Sequence, residues 1–286
     1  MANLKEIRNR ITSIGSTMQI TSAMKMVSAA KLKKAQDSIT AMRPYAEKLT
    51  ELIQNISATL EGDNSGVYSV QREVKNVLLV VVTSNRGLCG AFNANVIKQV
   101  NQLKATVFKD ANITLLTIGK KGHDSLSRSF SVLENDSDLF DDLNFEATSK
   151  IAAKLMEAFV NEEFDAVHLV YNQFKNAGTQ VVITEQFLPL LPIEVEGASS
   201  SDYIYEPSKI QIIETLIPES LKTQLFKAVL DSSASEHGAR MTAMHKATDN
   251  AMELKDQLTL SYNKARQAAI TNEILEIVGG AEALNN

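Results

Sequence analysis

ESLKTQLFKAVLDSSASEHGARMTAMHKATDNAMELKDQLTLSYNKARQAAITNEILEIVGGAEALNN, residues 219–286, runs for 68 positions without a proline and reads as one helix. At 1.5 Å per residue such a helix reaches roughly 100 Å, whereas ~30 Å already spans a small domain. It is too long to be a domain core and needs a partner of similar reach. The opening stretch, Leu4 to about Glu61, is the candidate, since it also reads as helix and is broken only by Pro44. Two such helices at opposite chain ends, around an unrelated middle, predict a rod carrying a globular body.

The opening helix places Leu4, Ile7, Ile11, Ile14 and Met18 at alternating spacings of three and four, the a/d seam of a coiled coil. The same register passes through Thr21, Lys25 and Ser28 before apolar side chains return at Leu32, Ala35, Ile39 and Met42. Ile20, Ala23, Met24, Met26 and Val27 are apolar on other faces, which predicts cover from a second side and hence an external partner. Pro44 costs ~3 kcal/mol inside a helix, which a long packed helix absorbs as a kink. Residues Gly62 to Gly66 form a loop.

In the closing helix, read as starting near Pro218 and Glu219, proline suits the first turn. A seam follows through Ala247, Ala251, Leu254, Leu258, Ser261, Ala265 and Ala268. Beyond it Ile270, Ile274, Ile277, Ala281 and Leu284 make a different stripe, with Leu275 and Val278 apolar elsewhere. Apolar surface around a whole helix end predicts a binding surface.

Between the helices, strand and helix signals alternate. Val77 to Val82 reads as a strand buried on both faces, followed by a glycine-containing turn and a helix near Ala94 to Leu103. Ile113 to Ile118 is a second strand, then a loop at Gly119 to Gly122 and a short helix. Ala147 to Val160 is helical with Ile151, Leu155 and Phe159 on one face, and Ala166 to Tyr171 and Gln180 to Phe187 are strands. The fold class is therefore α/β: a Rossmann-like body with a mostly parallel sheet, joined to a long antiparallel coiled coil of the terminal helices. The expected divisions are 1–61 for the first shaft helix, 74–200 for the body, 201–217 for a surface segment and 218–286 for the second shaft helix.

The 286 residues carry 29 Lys and Arg against 34 Asp and Glu, a net charge of −5 that is unevenly spread. Residues 1–48 are net +6, residues 49–230 net −8 and residues 231–286 net −3. A basic helix suits nucleic acid, anionic lipid or an acidic protein, or simply pairs with its acidic neighbour. Nucleic acid is disfavoured because residues 1–44 hold no aromatic side chain. No apolar run approaches the ~18 residues of a membrane span, and the N-terminus shows neither a signal-peptide core nor the arginine content of a transit peptide. The single cysteine, Cys89, excludes an internal disulfide and fits a reducing compartment.

Catalytic readings fare poorly. Ser84 to Gly90 lies where a parallel sheet binds phosphate but lacks both G-x-G-x-x-G and the Walker order, as does Gly119-Lys120-Lys121-Gly122-His123. A tight turn is the better reading. Cys89 and His123 are a conceivable nucleophile pair, yet a cysteine between glycines is more often a small buried residue. His123, His168, His237 and His245 have no metal-ligand spacing, and Asp136 to Asp142 lacks the spaced ligands of a calcium loop and reads as solvated. No catalytic residue, metal or cofactor is called for.

Ile20-Thr21-Ser22-Ala23-Met24-Lys25-Met26-Val27-Ser28-Ala29-Ala30-Lys31-Leu32 resembles the first helix of the gamma subunit of F-type ATP synthases. Ala265 to Ala281 resembles that family's C-terminal signature, and Ala239 to Met244 and Arg86 to Gly90 fit it too. Asn85 stands where aspartate is usual, and Gly279 where serine or alanine is frequent. The resemblance implies a non-catalytic central-stalk rotor that couples ion flow through the membrane c-ring to the catalytic beta subunits. Its implied partners are alpha and beta subunits (3:3:1 with this chain), the epsilon subunit and the c-ring. Membrane association is indirect, peripheral to the cytoplasmic face of a bacterial membrane. Met24, Lys25, Arg240, Arg266, Gln267, Thr271 and Glu273 are implied beta-subunit contacts, with Met24 and Lys25 opposite the others. Ile274, Ile277 and Leu284 are the implied bearing tip, and Tyr203, Tyr205 and Glu206 the foot on the c-ring. A coiled-coil scaffold with an α/β head is the alternative.

Overall fold

The structure, a computed structural model, describes residues 4–58, 67–190 and 209–285. The loop expected at Gly62 to Gly66 and the foot at Tyr203, Tyr205 and Glu206 lie outside the described residues. The chain has two compact units, one of Met1–Ser28 with Met241–Asn286 and the other of Ala29–Arg240. Helix α1 (Leu4–Ala58) and helix α5 (Lys209–Asn285) each contribute to both.

The larger unit is organised by β1 (Asn76–Val82), whose residues Val77 to Val82 are all fully buried. Parallel pairing joins β1 to β2 (Asn112–Ile118) on one side and to β4 (Ala166–Asn176) on the other. Outside these lie β3 (Ser131–Asn135), parallel to β2, and β5 (Thr179–Leu188), antiparallel to β4, giving the order β3-β2-β1-β4-β5. Successive side chains on a strand point to opposite faces. Val77, Leu79 and Val81 therefore meet Val96, Val100 and Leu103 of α2 (Phe92–Ala105) and Leu126 of α3 (Lys120–Leu126). Leu78, Val80 and Val82 meet Ile151, Leu155 and Phe159 of α4 (Phe145–Val160), together with Leu221, Leu225 and Val229 of α5. The expected strand buried on both faces is present, and so is the mostly parallel sheet.

Three local readings are corrected. Residues 119–122 are not a loop: α3 begins at Lys120, immediately after Gly119 at φ 113°. The acidic run is not simply solvated, because Ser137–Phe140 forms a 3₁₀ turn that buries Leu139 in the core and packs Phe140 beside it. Finally, α5 starts at Lys209 rather than at Pro218. Ile212, Leu216 and Ile217 pack against the same core as Leu221, which holds the helix together across the proline. A packed apolar face can offset the hydrogen bond that proline lacks.

In the smaller unit α1 and α5 run antiparallel. Thr21 Oγ1 lies 2.7 Å from Thr248 Oγ1, and Lys25 Nζ donates to His245 Nδ1 at 3.4 Å. On α1 the expected seam is present, with Leu4, Ile7, Ile11, Ile14, Met18, Thr21, Lys25 and Ser28 all covered and most side chains between them exposed. On α5 the seam differs. Ala247, Ala251, Leu258 and Ala265 are half-covered as expected, but Leu254, Ser261 and Ala268 are exposed. Lys255, Tyr262 and Ala269 take their places. At 3.6 residues per turn, residues 255, 262 and 269 stay within about 40° of Ala251, whereas 254, 261 and 268 drift to roughly 60–100° away. The stems of Lys255 and Tyr262 cover the seam while their polar ends reach water.

Two stability measurements follow from this geometry. A Cβ added at Gly119 would collide with the Thr83 backbone at a φ that L side chains rarely adopt. Gly119→Ala is expected to cost at least ~2 kcal/mol in denaturant unfolding. Leu254→Gln should change stability by under ~0.5 kcal/mol, as at an ordinary surface site, while Leu258→Gln should cost ~1–2 kcal/mol. Equal losses would put Leu254 back in the seam.

Candidate functional site

The covered seam of α5 ends because its partner ends. From the Thr21–Thr248 contact, Leu4 stands level with about residue 265. Ala269 is the last half-covered residue among the described side chains of α5, and every side chain from Ile270 to Ala281 is exposed. Ile270, Ile274, Leu275, Ile277 and Val278 all lie open here, Ile277 at 71%. The expected apolar tip at Ile274 and Ile277 is thus uncovered by the described residues, while the side chain of Leu284 lies outside the described ones. Arg266, Gln267, Thr271 and Glu273 are exposed on the same stretch, with Thr271 Oγ1 donating to the Gln267 carbonyl at 2.9 Å.

Met24 and Lys25 are half-exposed, but they do not stand opposite that group. Lys25 is level with His245, some 21 residues before Arg266, which is about 30 Å along the helix axis. The single polar collar read from sequence is therefore two levels. The lower one borders exposed Ile20, Met26 and Val27 of α1. Antiparallel register decides this, and it could not be fixed until one interhelical contact was known.

Arg240, expected in the same collar, is a correction of a different kind. It is buried, and its Nη1 donates to Glu236 Oε1 one turn earlier at 2.6 Å. Its Nη2 donates to the carbonyls of Arg86 at 2.9 Å and Gly87 at 3.2 Å, and its Nε reaches Gly87 at 3.4 Å. A guanidinium committed in this way has no free fork to offer a partner. Glu236 escapes the sequence reading, although its i, i+4 spacing to Arg240 amid small residues is a signal, and His237 reads there only as a histidine without ligand spacing. Burial pushes the Glu236 carboxyl up, and Arg240 and then Lys31 pull it back.

The Ser84–Gly90 segment is a tight turn, filled by its own side chains. Asn93 holds Ser84 and Cys89, donating to the Cys89 sulfur at 3.3 Å, and the thiol is buried. His123 instead approaches Thr117 Oγ1 at 3.5 Å, so Cys89 and His123 have separate partners. Asn85 staples the turn: its Nδ2 donates to the Ser137 carbonyl at 2.8 Å and its Oδ1 accepts from the Lys120 amide at 3.0 Å. An ionised aspartate could accept but not donate. Among the described residues no cluster of three or more His, Cys, Asp or Glu side chains could hold a metal ion.

Comparison with known proteins identifies the family. The family described as ATP synthase matches residues 3–284. An ATP synthase gamma chain of Flavobacterium psychrophilum is 68% identical over 285 residues, covering 99% of each chain. Among solved structures, a chain from the Tetrahymena thermophila mitochondrial ATP synthase central stalk and c-ring is 28% identical, with a TM-score of 0.57, over 80% of this chain and 99% of that one. A chain from the Euglena gracilis mitochondrial ATP synthase assembly of OSCP, F1 and c-ring shares the fold at TM-score 0.71 and 22% identity, over 98% of this chain and 94% of that one.

His237 carries a pH prediction. Its Nδ1 is buried without a hydrogen-bond partner, and burial, then Arg240, then Lys31 lower its pKa from 6.5 to about 4. The fold thus refuses a proton that the unfolded chain accepts below pH 6.5. Stability from this group is complete above pH 6.5 and is lost as pH falls toward 4. Glu236, whose folded pKa is raised, works in the opposite sense. His237→Gln should therefore flatten the acid limb between pH 6.5 and 4 by roughly 3 kcal/mol, read as denaturation midpoints of the two chains.

Proposed function

Because the chain belongs to the ATP synthase gamma chain family, we propose that it is the central-stalk rotor subunit of an F-type ATP synthase. It couples ion flow through a membrane c-ring to conformational cycling of the catalytic beta subunits. The observation that carries this reading is the stretch Ile270 to Ala281, helical and exposed on every side with no partner among the described residues. A soluble chain that leaves so much apolar helix open needs a sleeve from another protein. Nucleotide chemistry then belongs to the alpha and beta subunits, and this chain is non-catalytic.

The mechanism is differential contact. One asymmetric shaft offers different faces to three beta subunits and biases each toward a different conformation, by no more than the difference in its affinity for those states. Coupling is reciprocal in binding free energy, so the nucleotide state also biases the shaft angle. Apolar contacts are non-directional and suit a bearing, the role assigned to Ile274, Ile277 and Leu284. Charge-assisted contacts are directional and suit a catch, the role assigned to Arg266, Gln267, Thr271 and Glu273. Met24 and Lys25 form a second contact level. Tyr203, Tyr205 and Glu206 serve as the foot on the c-ring, and the 74–200 body docks the epsilon subunit. Among the described residues no helix is long and apolar enough to cross a membrane. We place the chain peripherally, at the cytoplasmic face of the membrane that holds the c-ring.

Mixing the full chain with alpha and beta subunits should give a 3:3:1 complex with ATPase activity tied to rotation. Self-association without such a complex would indicate the scaffold reading. Arg266→Ala removes a directional contact worth ~1.5–3 kcal/mol, so ATP-driven ion pumping should fall about tenfold or more with the fold intact. Undiminished pumping would remove Arg266 from the catch.

A further inference from the structure

In the smaller unit, two charged side chains make opposite demands on one ring nitrogen. His245 Nδ1 on α5 lies 3.4 Å from Lys25 Nζ on α1, and also 3.4 Å from Asp249 Oδ2 one turn further along α5. An ammonium has only protons to give, so Lys25 needs that nitrogen as a bare acceptor. An ionised carboxylate has only lone pairs, so Asp249 needs the same nitrogen to carry a proton. Both cannot be satisfied at once. Histidine is the side chain that ordinarily changes charge between pH 5 and 8, and His245 is exposed to the water that supplies the proton. Its charged surroundings are few. Lys25 is the one charged residue of α1 between Arg10 and Lys31, and α5 adds only Lys246 and Asp249 between Met241 and Met252. These two helices are the only described elements of this unit.

We propose that His245 is a positioning residue for Lys25, a proton on its ring deciding whether the ammonium stays on the shaft or turns outward to a carboxylate of the surrounding beta subunit. The proposal rests on the rotor reading, in which Lys25 belongs to the lower contact level, and adds its regulation. With the ring neutral, Nδ1 accepts from Lys25 and keeps the ammonium against α5. With the ring protonated, Nδ1 donates to Asp249, and two like charges repel across the former contact. Lys25 can answer that change because its stem is half-covered in the seam while its charged end sits on a flexible chain. Charge selects the occupant. Proton uptake takes Lys25, His245, Lys246 and Asp249 together from one net positive charge to two, which draws an acidic group more strongly.

The isolated full-length chain tests the switch through the His245 ring resonances followed against pH. Lys25→Met removes the group that prefers the bare nitrogen and should raise the His245 midpoint. Asp249→Asn removes the group that prefers the proton and should lower it. Exposed pairs of this kind move a midpoint by about 0.2–0.7 of a pH unit. Midpoints that do not move in these opposite senses overturn the switch. The complete complex tests the consequence. His245→Gln keeps an acceptor and a donor but takes up no proton. The ratio of ATP-driven ion pumping, wild type over His245→Gln, should rise about twofold or more from pH 8 to pH 6. In a Lys25→Met background the same substitution should give a flat ratio, since no ammonium remains to be released. A flat ratio with Lys25 present, or an equal rise without it, overturns the proposal and leaves the rotor reading in place. If the wild-type chain does not assemble with alpha and beta subunits, the rotor reading falls and takes this proposal with it, whatever the midpoints show.

Discussion

A helix in water keeps its apolar surface covered only as long as something runs beside it, and α5 meets three situations along its length. Around Ile217 to Val229 it buries side chains against the sheet. In the smaller unit, up to Ala269, it shares a seam with α1. From Ile270 to Ala281 no described residue covers it. Burial of apolar area, at ~25 cal/mol per Å², dominates the first stretch, where Leu221, Leu225, Ala228 and Val229 are enclosed. It is weaker in the second, where the seam is largely half-covered and includes Lys255 and Ala251. In the third it waits for an external surface.

The sheet contact is fastened by polar groups as well as apolar ones. Gln224 donates to Glu185 at 2.7 Å, and Glu185 accepts from Tyr171 at the same distance. Ser235 donates to the Asn172 carbonyl, and a Cβ on Gly238 would press on Ala177 at 3.3 Å. Directional bonds of this kind fix the axial position of a helix, which apolar packing alone leaves loose. Burial drives the Tyr171 hydroxyl up, with Glu185 adding to it, so the phenol stays a donor to that carboxylate across the ordinary pH range.

What sequence makes legible here is what apolar patterning encodes. Val77 to Val82 announces a strand buried on both faces, and Leu4 to Met18 announces a seam, because in both cases the apolar side chains are themselves the buried ones. The reading fails where polar residues are buried or apolar ones are not. Leu254 reads as a seam residue by character, but helix geometry gives the position to Lys255. Arg240 reads as surface by charge, yet Glu236 and two carbonyls make its burial tolerable. Pro218 reads as a start, although the core on both sides carries the helix through it. The five-residue β3 escapes notice because only Val132 and Glu134 along it are covered. The heights of Met24, Lys25 and Arg266 depend on interhelical register, which a single chain's pattern does not specify.

Strand β3 has a consequence for the chain before assembly. An open sheet edge is a template on which a second copy can pair, and a rotor subunit is made one chain at a time. Here the edge is short, its register is broken opposite Leu115 and Leu116, and Glu134 is drawn to Lys154 at 2.8 Å. Such an edge is a poor template. On this side the sheet offers a second copy little to pair with, so the lone chain can persist with its helical end still open for a sleeve.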